Sequence, residues 1–103
     1  MRWLQSGLRR DICVVVAGLD SPTGQQTKAA LERVYDDRLQ PKTFHGALDA
    51  LVDGGFLSRT QDGLADRYAL TDAGRRRLLA YRAWLNETTD GVTEDAEDAE
   101  DAD

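Results

Sequence analysis

The chain is poor in the residues that most small stapled or catalytic domains rely on. Its 103 residues include one cysteine, one histidine, one methionine and two prolines. A single cysteine excludes an internal disulfide, and with it the cross-linked scaffolds of small secreted domains. One histidine beside one cysteine falls short of the usual ligand set of a mononuclear zinc site, so neither a metal nor another cofactor is expected. The longest apolar run, Ile12 to Ala17, is far shorter than the roughly 20 residues that cross a bilayer. The opening Met1-Arg2-Trp3-Leu4-Gln5 lacks a long apolar stretch with a small-residue cleavage signal behind it, which points to a cytoplasmic protein with no membrane partner. The serines have no evident histidine base, no glycine-rich loop is built to cradle phosphate, and the carboxylates crowd toward one end. No catalytic residue is therefore assigned, and an enzyme is not expected.

Charge is abundant but unevenly placed. Thirteen Lys+Arg against 19 Asp+Glu give a formal net charge of -6. Residues 87–103 hold nine acids and no base, leaving 13 bases against 10 acids in residues 1–86, a surplus of three. The repetitive Glu-Asp-Ala composition of 87–103 has no apolar face and repels itself, so a disordered acidic tail is expected there, following one folded domain over 1–86. Lys28 and Lys42 are the only lysines, and most acids are aspartates. Such a balance is typical of salt-loving archaea, whose dense carboxylates keep proteins hydrated; a GC-rich genome produces the same bias. The mildly basic body, with Arg9-Arg10 and Arg75-Arg76-Arg77, suits nucleic acid, while arginine clusters of this kind also occur on solvated helix faces.

Apolar spacing sets the elements. Leu4, Leu8, Ile12, Val15, Val16 and Leu19 recur at helical intervals, predicting a first helix over 3–18 closed by Gly18. Ser21-Pro22 predicts the start of a second helix reaching about Val34, with Ser21 as its cap, and 35–39 reads as a connector. Gln40-Pro41 opens a third helix whose buried stripe is Phe44, Ala47, Leu48, Leu51 and Val52, ended by Gly54-Gly55. Residues 56–60 and 67–70 read as strands joined by a turn over 61–66 that contains Asp62-Gly63. Thr71 caps a last helix carrying Leu78, Tyr81 and Leu85 along one side. Three helices, a hairpin and a helix predict a mainly α protein with a small β-hairpin: a winged helix-turn-helix, α-α-α-β-β-α; Trp84, late in a last helix with little domain left to cover, marks that element as a C-terminal dimerisation helix. The third helix of this fold suits a DNA major groove and the hairpin tip a neighbouring backbone. The same architecture also serves as a protein-interaction module without specific DNA binding.

Three stretches resemble the PadR-type transcriptional regulators. Gly-Ala-Leu-Asp-Ala-Leu-Val-Asp-Gly-Gly-Phe-Leu (46–57) is similar to that family's junction between third helix and wing. Arg-Tyr-Ala-Leu-Thr-Asp-Ala-Gly-Arg-Arg-Arg-Leu (67–78) resembles its Tyr-x-Leu-Thr-x-x-Gly lead into the last helix. Ile-Cys-Val-Val-Val-Ala-Gly-Leu (12–19), followed by Thr23-Gly24, resembles its first helix and the approach to its second. The resemblance spans about residues 6–86 and is nearest the short haloarchaeal regulators, among them one that answers reactive oxygen species. It implies a homodimeric regulator on a partly palindromic DNA operator, in an oxidative or other stress response. In relatives the first and last helices build the dimer, which here implicates Trp3, Leu4, Leu8, Leu78, Tyr81, Trp84 and Leu85. Many family members carry a Tyr-Pro step where this chain has His45-Gly46, so base preference does not carry over.

On that layout, Gln40, Lys42, Thr43 and His45 lie at the start of the third helix, opposite its apolar stripe, as candidate contacts to double-stranded DNA. An ordinary solvated helix start is the competing reading, and for His45, packing against the second helix. Thr23, Gly24, Gln25 and Lys28 start the second helix, whose free amides suit a phosphate. Arg59 and Arg67 flank the turn within reach of phosphate or minor groove, in competition with pairing to Asp62 or Asp66. Those acids, with Asp36 and Asp37, would hold salt cations at a DNA interface. Cys13, set among apolar neighbours, reads as a buried structural thiol, with redox sensing as the minority use.

Overall fold

A computed structural model describes residues 7–92. Trp3 and Leu4, the expected helix start before residue 7, and the acidic segment from residue 93 onward lie outside the described residues. The elements are α1 (Gly7–Gly18), α2 (Gly24–Tyr35), α3 (Pro41–Asp53), β1 (Leu57–Asp62), β2 (Ala65–Leu70) and α4 (Asp72–Thr88). This is the winged-helix order read from the sequence.

The core lies where α1, α2 and α3 meet the hairpin. Ile12, Cys13 and Val16 of α1, Leu31 of α2, and Phe44, Ala47, Leu48 and Leu51 of α3 are buried together with Leu57 and Tyr68 of the two strands. The α3 stripe is the one its spacing predicts, because residues three and four apart share one helix face. Thr27 is the buried polar side chain of this core; its hydroxyl donates to the Thr23 carbonyl at 2.9 Å, so its burial leaves no orphaned group.

The start of α2 corrects the sequence reading. Ser21 is not the cap; it sits at φ 48°, and Pro22 precedes the helix instead of opening it. Thr23 is the cap, its hydroxyl accepting from the Gln26 amide at 3.1 Å while the Gln26 side chain accepts from the Thr23 amide at 2.9 Å. This reciprocal pair satisfies two otherwise orphaned donors. The physical reason for the shift is tertiary. The Pro22 carbonyl accepts from the Tyr68 amide at 2.9 Å, and Thr23 bridges Arg67 in antiparallel fashion. The segment is thus extended against the hairpin before the helix begins.

The connector between α2 and α3 is tied down. Tyr35 belongs to α2, which ends with Asp36 in the left-handed region at φ 54°. The Glu32 carboxylate accepts from Lys28 Nζ and from the Leu39 amide, both at 2.8 Å. The bond from Lys28, then that from Leu39, lowers its pKa below the ordinary carboxylate value.

The hairpin is longer than expected. Its antiparallel register runs from Leu57↔Leu70 to Asp62↔Ala65, so the turn is only Gly63-Leu64. Gly63 takes φ 65° and Leu64 does not go positive, the pattern of a II′ turn with glycine first. Ladder pairing through Gln61↔Asp66 overrides the polar, turn-like composition of that stretch.

Thr71 caps α4 as expected, its hydroxyl accepting from the Gly74 amide at 3.0 Å. The Thr71 amide donates to the Phe56 carbonyl at 3.1 Å, which draws the first turn of α4 onto the beginning of the hairpin. There a Cβ on Gly74 would lie 2.1 Å from the Phe56 carbonyl oxygen. The glycine of the Tyr-x-Leu-Thr-x-x-Gly stretch is therefore a steric requirement. Gly74→Ala should destabilise the fold by about 2 kcal/mol or more, although alanine alone would favour a helix by about 1 kcal/mol. Urea unfolding checks this; a variant as stable as the wild type would refute the close approach.

Candidate nucleic-acid interface

Because Phe44, Ala47, Leu48 and Leu51 turn inward, the opposite side of α3 is presented to solvent. Lys42, Thr43, His45, Gly46 and Asp49 are all exposed there. Pro41 occupies the first turn, and Gln40 is the cap residue without a side-chain capping bond, so its amide is uncommitted. Lys42 and His45 form no ion pair among the described residues. His45 is exposed and stands edge-on to Phe44 of its own helix at 5.4 Å between centroids.

The candidates on α2 are mostly engaged by the fold. Thr23 spends its hydroxyl on the cap. A Cβ on Gly24 would meet Tyr68 at 3.6 Å and Leu48 at 3.7 Å, so Gly24 lies at a close junction of helix and hairpin. Lys28 is ion-paired to Glu32 at 2.8 Å. Gln25 is exposed and is the member of this group that faces solvent without such a tie.

Both wing arginines are held by carboxylates. Arg67 Nε donates to Asp62 at 2.7 Å and its Nη1 to the Ser21 carbonyl at 2.8 Å. Arg59 donates through Nη2 to Asp49 of α3 and through Nε to the Tyr68 hydroxyl at 3.2 Å, with Asp66 at 4.0 Å. Its guanidinium also lies 5.4 Å from the Tyr68 ring centroid. Its bonds to Tyr68 and Asp49 raise its pKa further. The hairpin thus pairs two cations with two anions, and its tip is Leu64, fully exposed between them.

A second surface lies on the far side, between α1 and α4. Leu8, Leu78 and Tyr81 are half-buried against the chain's own core, whereas Trp84 and Leu85 are exposed. Val14 and Leu79, which the spacing argument did not single out, are exposed beside them. Val14, Leu78, Leu79, Tyr81 and Leu85 line an open apolar groove of about 760 Å³ that also takes in Ala17, Leu19, Leu70, Arg75 and Arg82. Arg10 bonds Asp11 at 3.1 Å and lies 5.4 Å from the Tyr81 ring, and Tyr81 stacks toward Trp84 at 5.7 Å. Asp11 in turn accepts from the Tyr35 hydroxyl, linking the end of α2 to this surface.

Asp49 is the residue of the α3 face that sequence reasoning missed. Its signal was available, since it stands seven residues after Lys42 and therefore on the same side of the helix. Among the described residues no group of three or more His, Cys, Asp or Glu is placed to hold a metal, and no helix is long and apolar enough to cross a membrane.

Comparison of this geometry with known proteins gives an unambiguous architecture. H. salinarum RosR, in crystals grown from NaBr, superposes with a TM-score of 0.80 at 22% identity, over 96% of this chain and 90% of that one. This chain has the winged-helix fold of RosR. A MarR-family transcriptional regulator from Rhodococcus shares the winged-helix arrangement at TM-score 0.65 and 18% identity, over 91% of this chain and 68% of that one. Bacillus subtilis PadR, solved in complex with operator DNA, matches at TM-score 0.59 and 22% identity, over 78% of this chain and about half (47%) of PadR. No family model and no curated protein matches the sequence.

Cys13 faces the RosR-like core and is fully buried, as its neighbours implied. Burial pushes its thiol up to about 12, so at neutral pH the reactive thiolate is scarce. Ellman's reagent at pH 8 should leave the native thiol unmodified for hours and titrate it promptly in guanidinium. Rapid native reaction would restore the redox-sensing reading.

Proposed function

We propose that this protein is a non-enzymatic, sequence-specific transcriptional regulator that acts in the cytoplasm as a homodimer on a partly palindromic operator. The observation that carries the reading is the α3 face. Lys42, Thr43 and His45 are exposed, and among the described residues neither Lys42 nor His45 is drawn into an ion pair, on a helix that lies beside a wing. Lysine supplies a donor to guanine or phosphate, threonine a hydroxyl and a methyl, and the amides around Gln40 suit a phosphate. Gln25 adds a polar contact from α2. The PadR complex with operator DNA supports this use of the fold. The motif resemblance supports an oxidative or other stress response as its setting.

The wing contributes differently from an ordinary basic hairpin. With Arg67 on Asp62, and Arg59 near Asp66, it approaches DNA nearly neutral. Asp36 and Asp37, exposed on the α2–α3 turn, would hold salt cations against the phosphates. Fewer cations are then released on binding, so affinity should fall only gently with salt, or even rise. Duplexes selected from a random pool and titrated across salt concentrations test both points. Lys42→Ala should weaken binding about tenfold, and the Asp62→Asn/Asp66→Asn pair should steepen the negative slope. Wild-type protein that enriches no sequence would favour a protein-interaction module; a steep slope unchanged by the pair would remove the cation-holding interface.

The dimer seam in this reading is the groove between α1 and α4 together with Trp84, which stacks toward the groove-lining Tyr81; an isologous pairing would cover Trp84, Leu85, Leu79 and Val14 in both copies at once. Light scattering at tens of micromolar should report a dimer. Trp84→Glu should give a monomer with unchanged helical content, because Trp84 is half exposed in the single chain. A monomeric wild type, or a dimeric variant, would count against this seam.

A further inference from the structure

Two glycines of this fold make an instructive contrast. Gly74 is forced by the Phe56 backbone, whereas a Cβ at Gly46 would meet nothing within 4 Å. Gly46 lies in the middle of α3 with ordinary helical geometry. Glycine is the poorest helix former after proline, so no internal contact accounts for its presence there. It leaves a notch on the exposed face, bordered by Lys42 four residues before, His45 beside it and Asp49 three residues after.

Asp49 is held at that notch. Arg59 reaches from β1 and occupies Asp49 Oδ1, and is itself fixed by the Tyr68 hydroxyl at 3.2 Å. The second oxygen, Oδ2, has no partner among the described residues, and Asp49 stays 62% exposed. A bare carboxylate would oppose DNA; one neutralised by a guanidinium and clamped on the reading helix becomes an oriented acceptor with no donor. In the major groove only cytosine N4 and adenine N6 offer a donor, and adenine sets its N7 acceptor beside it, where a carboxylate is repelled.

We propose that Asp49 is a specificity-determining residue that reads a cytosine amino group across the clearance left by Gly46, with Arg59 as its positioning residue. The inference rests on the DNA-binding reading above. Gly46 lets the helix backbone approach the base edges closely enough for the short aspartate side chain to reach. The tip of the wing is uninvolved; the wing's part is to deliver Arg59.

Selection from a random duplex pool, run in parallel for wild type, Asp49→Asn and Gly46→Ala, tests this. The wild type should enrich a site with an invariant C·G pair. Asp49→Asn keeps an oxygen for Arg59 and gains a donor, so at that one position preference should move toward adenine by about tenfold. Gly46→Ala should raise Tm by about 4 °C and yet weaken binding about tenfold, the scale of one intruding methyl group. Opposite signs for stability and affinity are what a purely structural glycine would not give. An identical base profile for wild type and Asp49→Asn, or unchanged affinity in Gly46→Ala, overturns the inference while leaving DNA binding intact. A wild type that enriches nothing overturns the DNA-binding reading and this inference together.

Discussion

Tyr68 joins three parts of the fold that are distant in sequence. Its amide donates to the Pro22 carbonyl, its ring lies against the backbone of Gly24 at the start of α2, and its hydroxyl accepts from Arg59, which continues to Asp49 on α3. The wing is therefore attached to both helices of the helix-turn-helix through one buried aromatic. An aromatic of this size brings a large apolar area to the core and still needs its polar end satisfied. Here the satisfied end is the one that reaches the exposed α3 face. Packing and the geometry of the candidate site are in this way one constraint, and loss of the ring would loosen α3 relative to the hairpin as well as open the core.

The sequence was most legible where local and tertiary demands agree. The α3 stripe, its Gly54-Gly55 end, the Thr71 cap and the burial of Cys13 all follow from short-range rules. It was least legible where distant strands intervene. Ser21-Pro22 has the composition of a helix start, yet hydrogen bonding to residue 68 keeps the segment extended and moves the cap to Thr23. The polar stretch 61–66 has the composition of a loop, yet cross-strand pairing zips it down to two residues. Spacing places Leu78, Tyr81 and Leu85 along one side of α4, whereas the core takes Leu78 and Tyr81 and leaves Leu79, Trp84 and Leu85 outside. Which side of a helix a small core claims depends on its neighbours, and spacing alone does not encode them.

Charge follows a similar logic. A count over residues 1–86 gives a modestly basic body, but the structure commits Lys28, Arg59 and Arg67 to carboxylates and, among the described residues, leaves Lys42 uncommitted on the α3 face. The exposed Arg67–Asp62 pair adds little to stability. The effect of these pairs is on the field the surface presents: the wing offers hydrogen-bonding shape with little net charge, and the positive charge of the exposed α3 face is concentrated at Lys42. Such a surface depends less on long-range attraction than a continuous basic patch does, and it keeps its contacts at ionic strengths where the Debye length shrinks to a few ångströms.

The tether between α2 and α3 has a kinetic consequence. With Glu32 accepting from the Leu39 amide across the connector, and Asp36 closing α2 in a left-handed turn, the approach to α3 is tied to α2 within the chain itself. Little conformational freedom is left to lose on association. For a DNA-binding protein of the kind proposed, arrival would be governed by diffusion and orientation, which vary little among related sites, and discrimination between one site and another would fall to how long the protein stays. Residence time, more than capture, is the quantity through which a rigid connector of this kind expresses selectivity.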